Sequence, residues 1–152
     1  MSDSERFTTV DAARAGVLTV DDDSAFLALL RDVVRATGHL EVVGEARNGE
    51  GAIAAARELE PDMVLMDVRM PGIGGLKAAE EIKAVHPSTL MVLISTTHPD
   101  ELPPRAAAGR VDAVVWKSVL EPRLLDEIWL RAHENDRCGR SGPTDRSSRR
   151  PR

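Results

Sequence analysis

Residues 61–76, PDMVLMDVRMPGIGGL, carry the pattern that decides the fold. The apolar run from Met63 to Met66 is short and continuous, as expected for a strand that is buried on both faces of a sheet. It leads directly into Asp67 and the breaker-rich segment VRMPGIGG, after which apolar residues recur at helical spacing from Leu76 to Val85. This stretch predicts a strand, a loop that begins at Asp67, and a helix.

The same alternation of strand and helix recurs on both sides of this stretch. Five strands are predicted in all, at 17–20, 40–43, 63–66, 90–94 and 113–116. Helices are predicted from about Ser24 to Thr37, from Asn48 to Leu59, from Leu76 to Val85, and from Glu121 to about His133. Such an alternation is typical of an α/β domain whose parallel sheet has helices on both faces.

The segment between the fourth and fifth strands is less regular. It reads HPDELPPRAAAGR, and Pro103 and Pro104 restrict any helix there to a few residues that begin at about Pro104. We therefore expect a short helix in this segment.

Length and composition predict one domain with two tails. A chain of 152 residues with 42% apolar content is about the size of one ordinary domain. We expect a leader over residues 1–15, the domain over 16–135, and an Arg-rich disordered tail over 136–152. The net charge is −5 although the tail is basic, so the folded part is acidic. An acidic surface argues against nucleic-acid binding by that part.

The sequence indicates a cytoplasmic protein without membrane contact. Cys138 is the sole cysteine, which excludes an intramolecular disulfide and a cysteine-based metal site. The first sixteen residues contain no apolar run, and no stretch is long and apolar enough to span a bilayer.

Polar side chains stand at the ends of four predicted strands, where the loops of a parallel sheet converge and ligands bind. They are Asp21, Asp22 and Asp23 after the first strand, Asp67 after the third, Ser95 and Thr96 after the fourth, and Lys117 after the fifth. Carboxylates clustered in a partly dry cleft repel one another, and an all-oxygen set favours Mg²⁺. Such a cation, together with Lys117, could neutralise a phosphoryl group arriving at Asp67.

Four segments, in this order, resemble the conserved blocks of response-regulator receiver domains. They are VDDDSAFLALL (20–30), PDMVLMDVRMPGIGGL (61–76), MVLISTTHPD (91–100) and AVVWK (113–117). Their separations also resemble those of the family, since Asp22 lies 45 residues before Asp67, Ser95 lies 28 after it, and Lys117 lies 22 after Ser95. The resemblance covers residues 17 to about 134 and implies a doubly wound, flavodoxin-like sheet of five parallel strands in the order 2-1-3-4-5.

The resemblance also implies roles for the residues at the strand ends. Asp67 is then the phosphoacceptor, and the Mg²⁺ ligands are Asp21, Asp22, Asp67 and the main-chain carbonyl of Arg69, with Asp22 binding directly and Asp21 directly or through water. The phosphoryl group is bound by Lys117 and by Ser95, or by Thr96 if Ser95 only satisfies backbone.

The implied function is signalling by conformational change after phosphoryl transfer from a sensor histidine kinase, with an unidentified downstream protein as the target. By the usage of the family such a protein is not an enzyme, and a homodimer is one state that the sequence allows. The segment EVVGEARNGEGAI (41–53) resembles receivers that precede a helix-turn-helix domain. Because no such domain follows in this chain, we expect no sequence-specific DNA binding.

The position of the usual aromatic switch residue departs from the family pattern. Receivers usually have Tyr or Phe three residues before the lysine, and rotation of that ring reports phosphorylation; this chain has Val114 there. Trp116 is close, but its side chain is expected to point away from those of its adjacent strand residues, so we do not assign it that role. Together with Pro103 and Pro104, this makes the output surface atypical.

Two alternatives remain at this stage. A receiver-like interaction module that acts independently of phosphorylation would explain Val114, but it would not need the acidic residues, Ser95 and Lys117 together. A phosphatase resembling haloacid dehalogenases would need a second Asp two residues after the nucleophile, where this chain has Arg69. A nucleotide-binding loop is excluded because GIGGLK lacks the spacing and the Ser or Thr of a P-loop.

Overall fold

The computed structural model describes residues 14–96 and 111–141, with residues 135–141 described as backbone only. The short helix expected near Pro104, the leader before residue 14, and the tail beyond residue 141 lie outside the described residues. Five parallel strands form one sheet in the order β2-β1-β3-β4-β5, as the sequence predicts. The strands are β1 (Ala15–Val20), β2 (Leu40–Ala46), β3 (Met63–Asp67), β4 (Leu90–Ser95) and β5 (Ala113–Trp116).

Four α-helices are described, and they cover both faces of the sheet. They are α1 (Ser24–Ala36), α2 (Gly49–Leu59), α3 (Gly74–Val85) and α4 (Pro122–Ser141), and a short 3-10 helix (Lys117–Val119) follows β5. Buried residues of α1 and α4, such as Leu30 and Leu125, pack on one face of the sheet. Buried residues of α2 and α3, such as Ala56 and Ile82, pack on the other. The central strands β3 and β4 are buried along their whole length, which explains their continuous apolar sequences.

Local sequence fixes several helix ends. The side chain of Asp23 accepts a hydrogen bond from the Ala25 amide at the start of α1, and the side chain of Asn48 accepts one from the Gly51 amide at the start of α2. Both are standard N-cap interactions. Helix α2 ends at Leu59, with Glu60 in the left-handed conformation just before Pro61.

Two boundaries differ from the sequence prediction by three residues or more. Strand β2 continues to Ala46 instead of ending near Val43, because a shift of register between Val17 and Leu18 leaves Val43 out of the pairing and lets the strand resume at Gly44. Helix α4 continues to Ser141 instead of ending near His133. The segment after His133 is polar, which is why the helix was expected to end there. It contains no proline before Ser141, so no residue in it blocks the helical backbone.

In the described part of the chain, no helix combines the length and the apolar character that a membrane span requires.

Candidate functional site

Three carboxylates meet at the carboxyl edge of the sheet. Asp67 is the last residue of β3, and Asp21 directly follows β1, the strand beside it. Asp21 is 1% exposed and Asp67 is 7% exposed, whereas Asp22 is exposed to solvent. One oxygen atom of each of the three lies within 4.8 Å of the others. The structure therefore brings together the three aspartates that the sequence predicts as metal ligands.

Backbone amides hold two of these carboxylates in place. The Asp23 amide donates a hydrogen bond to Oδ1 of Asp21 at 2.9 Å, and the Arg69 amide donates to Oδ1 of Asp67 at 3.4 Å. Asp23 itself is occupied as the cap of α1, where its Oδ1 accepts from the Ala25 amide at 2.9 Å. Asp23 is therefore the helix cap, and it is not one of the three grouped carboxylates.

Lys117 lies across the two buried carboxylates. Its Nζ is 3.1 Å from Oδ2 of Asp21 and 3.8 Å from Oδ2 of Asp67. The same ammonium lies 4.0 Å from the centre of the Phe26 ring. Among the described residues, the buried Oδ2 of Asp21 has no hydrogen-bond partner, so its contact with Lys117 is a close ion pair without hydrogen-bond alignment. Lys117 is thus the positive group of this site.

The end of β4 contributes Ser95 to the site, on the side of β3 opposite to β1. Ser95 is the last residue of β4 and is buried, and β4 lies between β3 and β5. Ser95 pairs with Trp116 in the sheet, and the Trp116 indole Nε1 donates a hydrogen bond to the Thr96 carbonyl at 3.1 Å. Thr96 is exposed. The sheet therefore places Ser95 between β3, which ends at Asp67, and β5, which leads into Lys117.

Val114 is half-buried and packs against the apolar cluster on the α2 and α3 face. Trp116 is two residues further along the same strand, so alternation places it on the face of Val114, opposite to Val115. Trp116 therefore points away from its neighbour Val115, as expected, but it shares a face with Val114 at the switch position. The hydrogen bond from Trp116 to Thr96 has no signal in the sequence because it joins the ends of two strands.

Phe26 is the residue near the site that sequence reasoning missed. Phe26 packs at the margin of the core on the α1 and α4 face and is half-buried. Its ring also faces the Lys117 ammonium. The available signal was its position in the first turn of α1, four residues after Asp22.

The Asp67 carboxyl is in an unfavourable setting for a negative charge. Burial, followed by repulsion from the Asp21 carboxylate, raises its pKa from 3.8 to about 6. The Lys117 ammonium and the Arg69 amide lower the pKa but only partly offset the rise. A cation placed among the three carboxylates would relieve this strain and favour the ionised form.

The raised pKa predicts how stability depends on pH in the metal-free protein. The folded state binds the Asp67 proton more tightly than the unfolded chain, so the free energy of unfolding falls as pH rises from about 4 and the loss is complete above about 6. Asp67→Asn removes this titration. We expect the variant to be more stable than wild type at neutral pH by about 2 kcal/mol, and the two to be similar at about pH 4. Urea unfolding in a chelating buffer at both pH values measures this, and equal stability at neutral pH would contradict it.

Gly75 packs closely against the backbone at Asp67 and Val68, at the start of the loop that follows β3. Its amide donates to the Val68 carbonyl at 3.0 Å, which ties the start of α3 to the residue after Asp67. A Cβ atom at position 75 would overlap with the Asp67 carbonyl oxygen and would lie 2.9 Å from the Val68 Cα. Both neighbours are backbone atoms, so they cannot move aside without moving Asp67.

Gly75→Ala is therefore expected to destabilise the protein by about 2 to 3 kcal/mol, because an added methyl group in a closed site forces a backbone shift. Thermal or urea unfolding measures the loss. Gly38→Ala is the matched control, since a Cβ at position 38 meets no atom within 4 Å. Similar stabilities for the two variants would show that the approach of Gly75 to Asp67 is looser than described.

The site fits a divalent cation such as Mg²⁺. The three carboxylates offer oxygen ligands, and the Oδ2 atom of Asp21 is buried without a hydrogen-bond partner among the described residues. Hard oxygen ligands with net negative charge are the ligands that Mg²⁺ prefers. Arg69 lies in the loop after β3, two residues beyond Asp67, and its carbonyl stays a predicted ligand.

Comparison with known protein families gives one match that covers most of the chain. Residues 17–129 match the family described as response regulator receiver domain. The response regulator GacA of Pseudomonas viridiflava is 42% identical over 89 residues, which are 59% of this chain and 42% of that protein. Protein-glutamate methylesterase/protein-glutamine glutaminase 1 of Vibrio vulnificus (strain YJ016) is 39% identical over 82 residues, which are 54% of this chain and 22% of that protein. The chain thus spans less than half the length of these curated relatives.

Solved structures show the same fold. The signal receiver domain of a modulated diguanylate cyclase from Desulfovibrio desulfuricans G20 superposes with a TM-score of 0.70 at 27% identity, covering 81% of this chain and 97% of that one. A two-component response regulator of the LuxR family from Aurantimonas sp. SI85-9A1 superposes with a TM-score of 0.72 at 24% identity, covering 80% and 86%.

Proposed function

Because the chain belongs to the family of response regulator receiver domains, we propose that it accepts a phosphoryl group on Asp67, in an Mg²⁺-dependent reaction, from a sensor histidine kinase. The observation that carries the proposal is the grouping of the carboxylates of Asp21, Asp22 and Asp67, with the Lys117 ammonium 3.8 Å from Oδ2 of Asp67. Under this proposal Asp21, Asp22, Asp67 and the Arg69 carbonyl hold the cation.

The chemistry follows from the positions of these groups. An oxygen of the Asp67 carboxylate attacks the phosphorus of a phosphohistidine, an acyl phosphate bond forms, and the phosphorus–nitrogen bond breaks as the histidine leaves. Lys117 neutralises an oxygen of the transferred group, and Ser95 or Thr96 donates a hydrogen bond to another. A Mg²⁺ ion held by the aspartates would supply further neutralisation of negative charge. Hydrolysis of the acyl phosphate then resets the site.

The product of this reaction is a changed protein, so the proposed role is signalling to a downstream protein. Val114 favours one second candidate, an interaction module that works without phosphorylation. The grouped aspartates, the buried Ser95 and Lys117 weigh against that candidate, because binding a partner at another surface would not require them to converge.

The test of the proposed function is incubation of the wild-type protein with acetyl phosphate, followed by intact-mass analysis. We expect one added phosphoryl group in the presence of Mg²⁺ and none in excess EDTA. No added mass in Mg²⁺, together with no binding of a beryllium fluoride mimic, would favour the phosphorylation-independent module.

The metal site predicts a difference between two neighbouring aspartates. Asp22 and Asp23 are both exposed, but only Asp22 belongs to the group of three carboxylates. A ligand that binds only the folded state stabilises it, by about 2.7 kcal/mol at one hundred times its dissociation constant. We therefore expect Mg²⁺ to raise the melting temperature of wild type by several degrees at such a concentration.

Asp22→Asn is expected to remove most of this Mg²⁺-dependent rise, whereas Asp23→Asn is expected to keep it. The two variants change the net charge equally, and Asn caps a helix about as well as Asp, so Asp23→Asn should also keep α1 intact. Thermal unfolding with and without Mg²⁺ measures the difference. An equal loss in both variants would show a general effect of charge, which would contradict a specific site.

A further inference from the structure

The Phe26 ring is a neutral group in contact with the Lys117 ammonium. Nζ of Lys117 lies 4.0 Å from the ring centre, and the Lys117 side chain is 19% exposed. At this distance the negative face of an aromatic ring attracts a cation, and the attraction grows as water is excluded. Phe26 is therefore more than a residue at the margin of the core.

Two links hold the ring at this place. Phe26 lies in the first turn of α1, and Asp23, which caps that helix, also donates its amide to Oδ1 of Asp21. The ring also packs against the apolar cluster of α1 and α4. The position of the ring is thus tied both to the rigid core and to the loop that carries the acidic residues.

The contacts of Lys117 would not be equally preserved when a cation binds at the site. Its closest partner is Asp21 at 3.1 Å, while Asp67 is 3.8 Å away. Asp21 is also one of the three grouped carboxylates, so a cation bound there competes with Lys117 for its charge. Lysine has a flexible stem, and an ammonium that lost its closest partner would be free to move into solvent. The Phe26 ring has no formal charge, so a cation bound to Asp21 would not compete for it. The contact between the ring and Lys117 would therefore persist.

We propose that Phe26 is a positioning residue that keeps the Lys117 ammonium beside Asp67 when Asp21 is engaged by a cation. The inference rests on the proposed function, because it assigns to Phe26 the placement of the group that neutralises the phosphoryl oxygens. A residue that only fills the core would be replaceable by leucine without any effect on Lys117.

Nuclear magnetic resonance tests the contact directly, without phosphorylation. The chain contains three lysines, Lys77, Lys83 and Lys117, so the side-chain signals are few. Protons held over the face of an aromatic ring resonate upfield. We expect the Hε protons of Lys117 to be shifted upfield in wild type with Mg²⁺ bound, and Phe26→Leu to return them to the ordinary position. The signals of Lys77 and Lys83 should not change.

The functional consequence is measured with acetyl phosphate at saturating Mg²⁺. We expect Phe26→Leu to lower the labelling rate about fivefold, while the Mg²⁺-dependent rise in melting temperature stays unchanged. Phe26→Tyr keeps the ring and should keep both the upfield shift and the rate. The melting temperature of each variant shows whether it is folded, and the wild-type shift tests the contact even if Phe26→Leu does not fold.

The outcomes separate this inference from the function on which it rests. An ordinary Lys117 shift in a wild-type protein that is labelled, or an unchanged labelling rate in folded Phe26→Leu, would overturn the role of Phe26 alone. A wild-type protein that is never labelled would overturn the proposed function, whatever the shift of Lys117.

Discussion

Asp67→Asn is expected to take up no phosphoryl group from acetyl phosphate under conditions in which wild type is labelled. An amide is a far weaker nucleophile than a carboxylate, and it cannot form an acyl phosphate. The substitution keeps the size of the side chain, and it removes a charge that the buried site disfavours. The variant should therefore be folded and, without metal, more stable than wild type, so a loss of labelling cannot be attributed to unfolding.

Intact-mass analysis measures the labelling, and Asp23→Asn is its control because Asp23 caps α1 outside the group of three carboxylates. We expect Asp23→Asn to be labelled like wild type. A phosphoryl group on Asp67→Asn would show that a different residue is the acceptor.

Lys117→Met is expected to lower the labelling rate by about 100-fold or more. Removal of one preorganised group that stabilises developing negative charge typically costs a factor of this size. Lys117 is the cation nearest to both Asp21 and Asp67 among the described ion pairs, so no neighbouring group replaces it. Methionine keeps most of the length of the stem, which limits the loss of packing.

Lys77→Met provides the matched control, since Lys77 is an exposed lysine of α3. It should be labelled at the rate of wild type. The time course of labelling, taken from intact-mass samples, gives both rates. A rate within a few-fold of wild type for Lys117→Met would contradict the role assigned to its ammonium.

The sequence predicted the central part of the fold for a clear physical reason. Strands β3 and β4 are buried on both faces, so their apolar runs are continuous and end sharply at Asp67 and Ser95. Parallel strands meet at one edge of a sheet, so polar residues at their ends were expected to converge there, and Asp21, Asp67 and Lys117 do.

Features that depend on contacts between distant segments were not predictable in the same way. The end of β2 was predicted too early because the pairing of β2 with β1 shifts register at Val43. No local sequence pattern indicates such a shift. The contact of Phe26 with Lys117 was missed because an apolar residue at helical spacing is expected to be a core residue. Lys117 follows β5, which is far from Phe26 in the sequence. The bond from Trp116 to Thr96 likewise joins two strand ends.

The most direct measurement of the central claim is the position of the phosphoryl group. Wild-type protein labelled with acetyl phosphate and Mg²⁺ is treated with borohydride, which reduces an acyl phosphate to an alcohol and so converts a phosphorylated aspartate to homoserine. Peptide mass spectrometry then locates the change. Our account predicts homoserine at position 67 and nowhere else in labelled protein. Homoserine at another aspartate, or an unchanged Asp67 in protein that carries the phosphoryl mass, would contradict it.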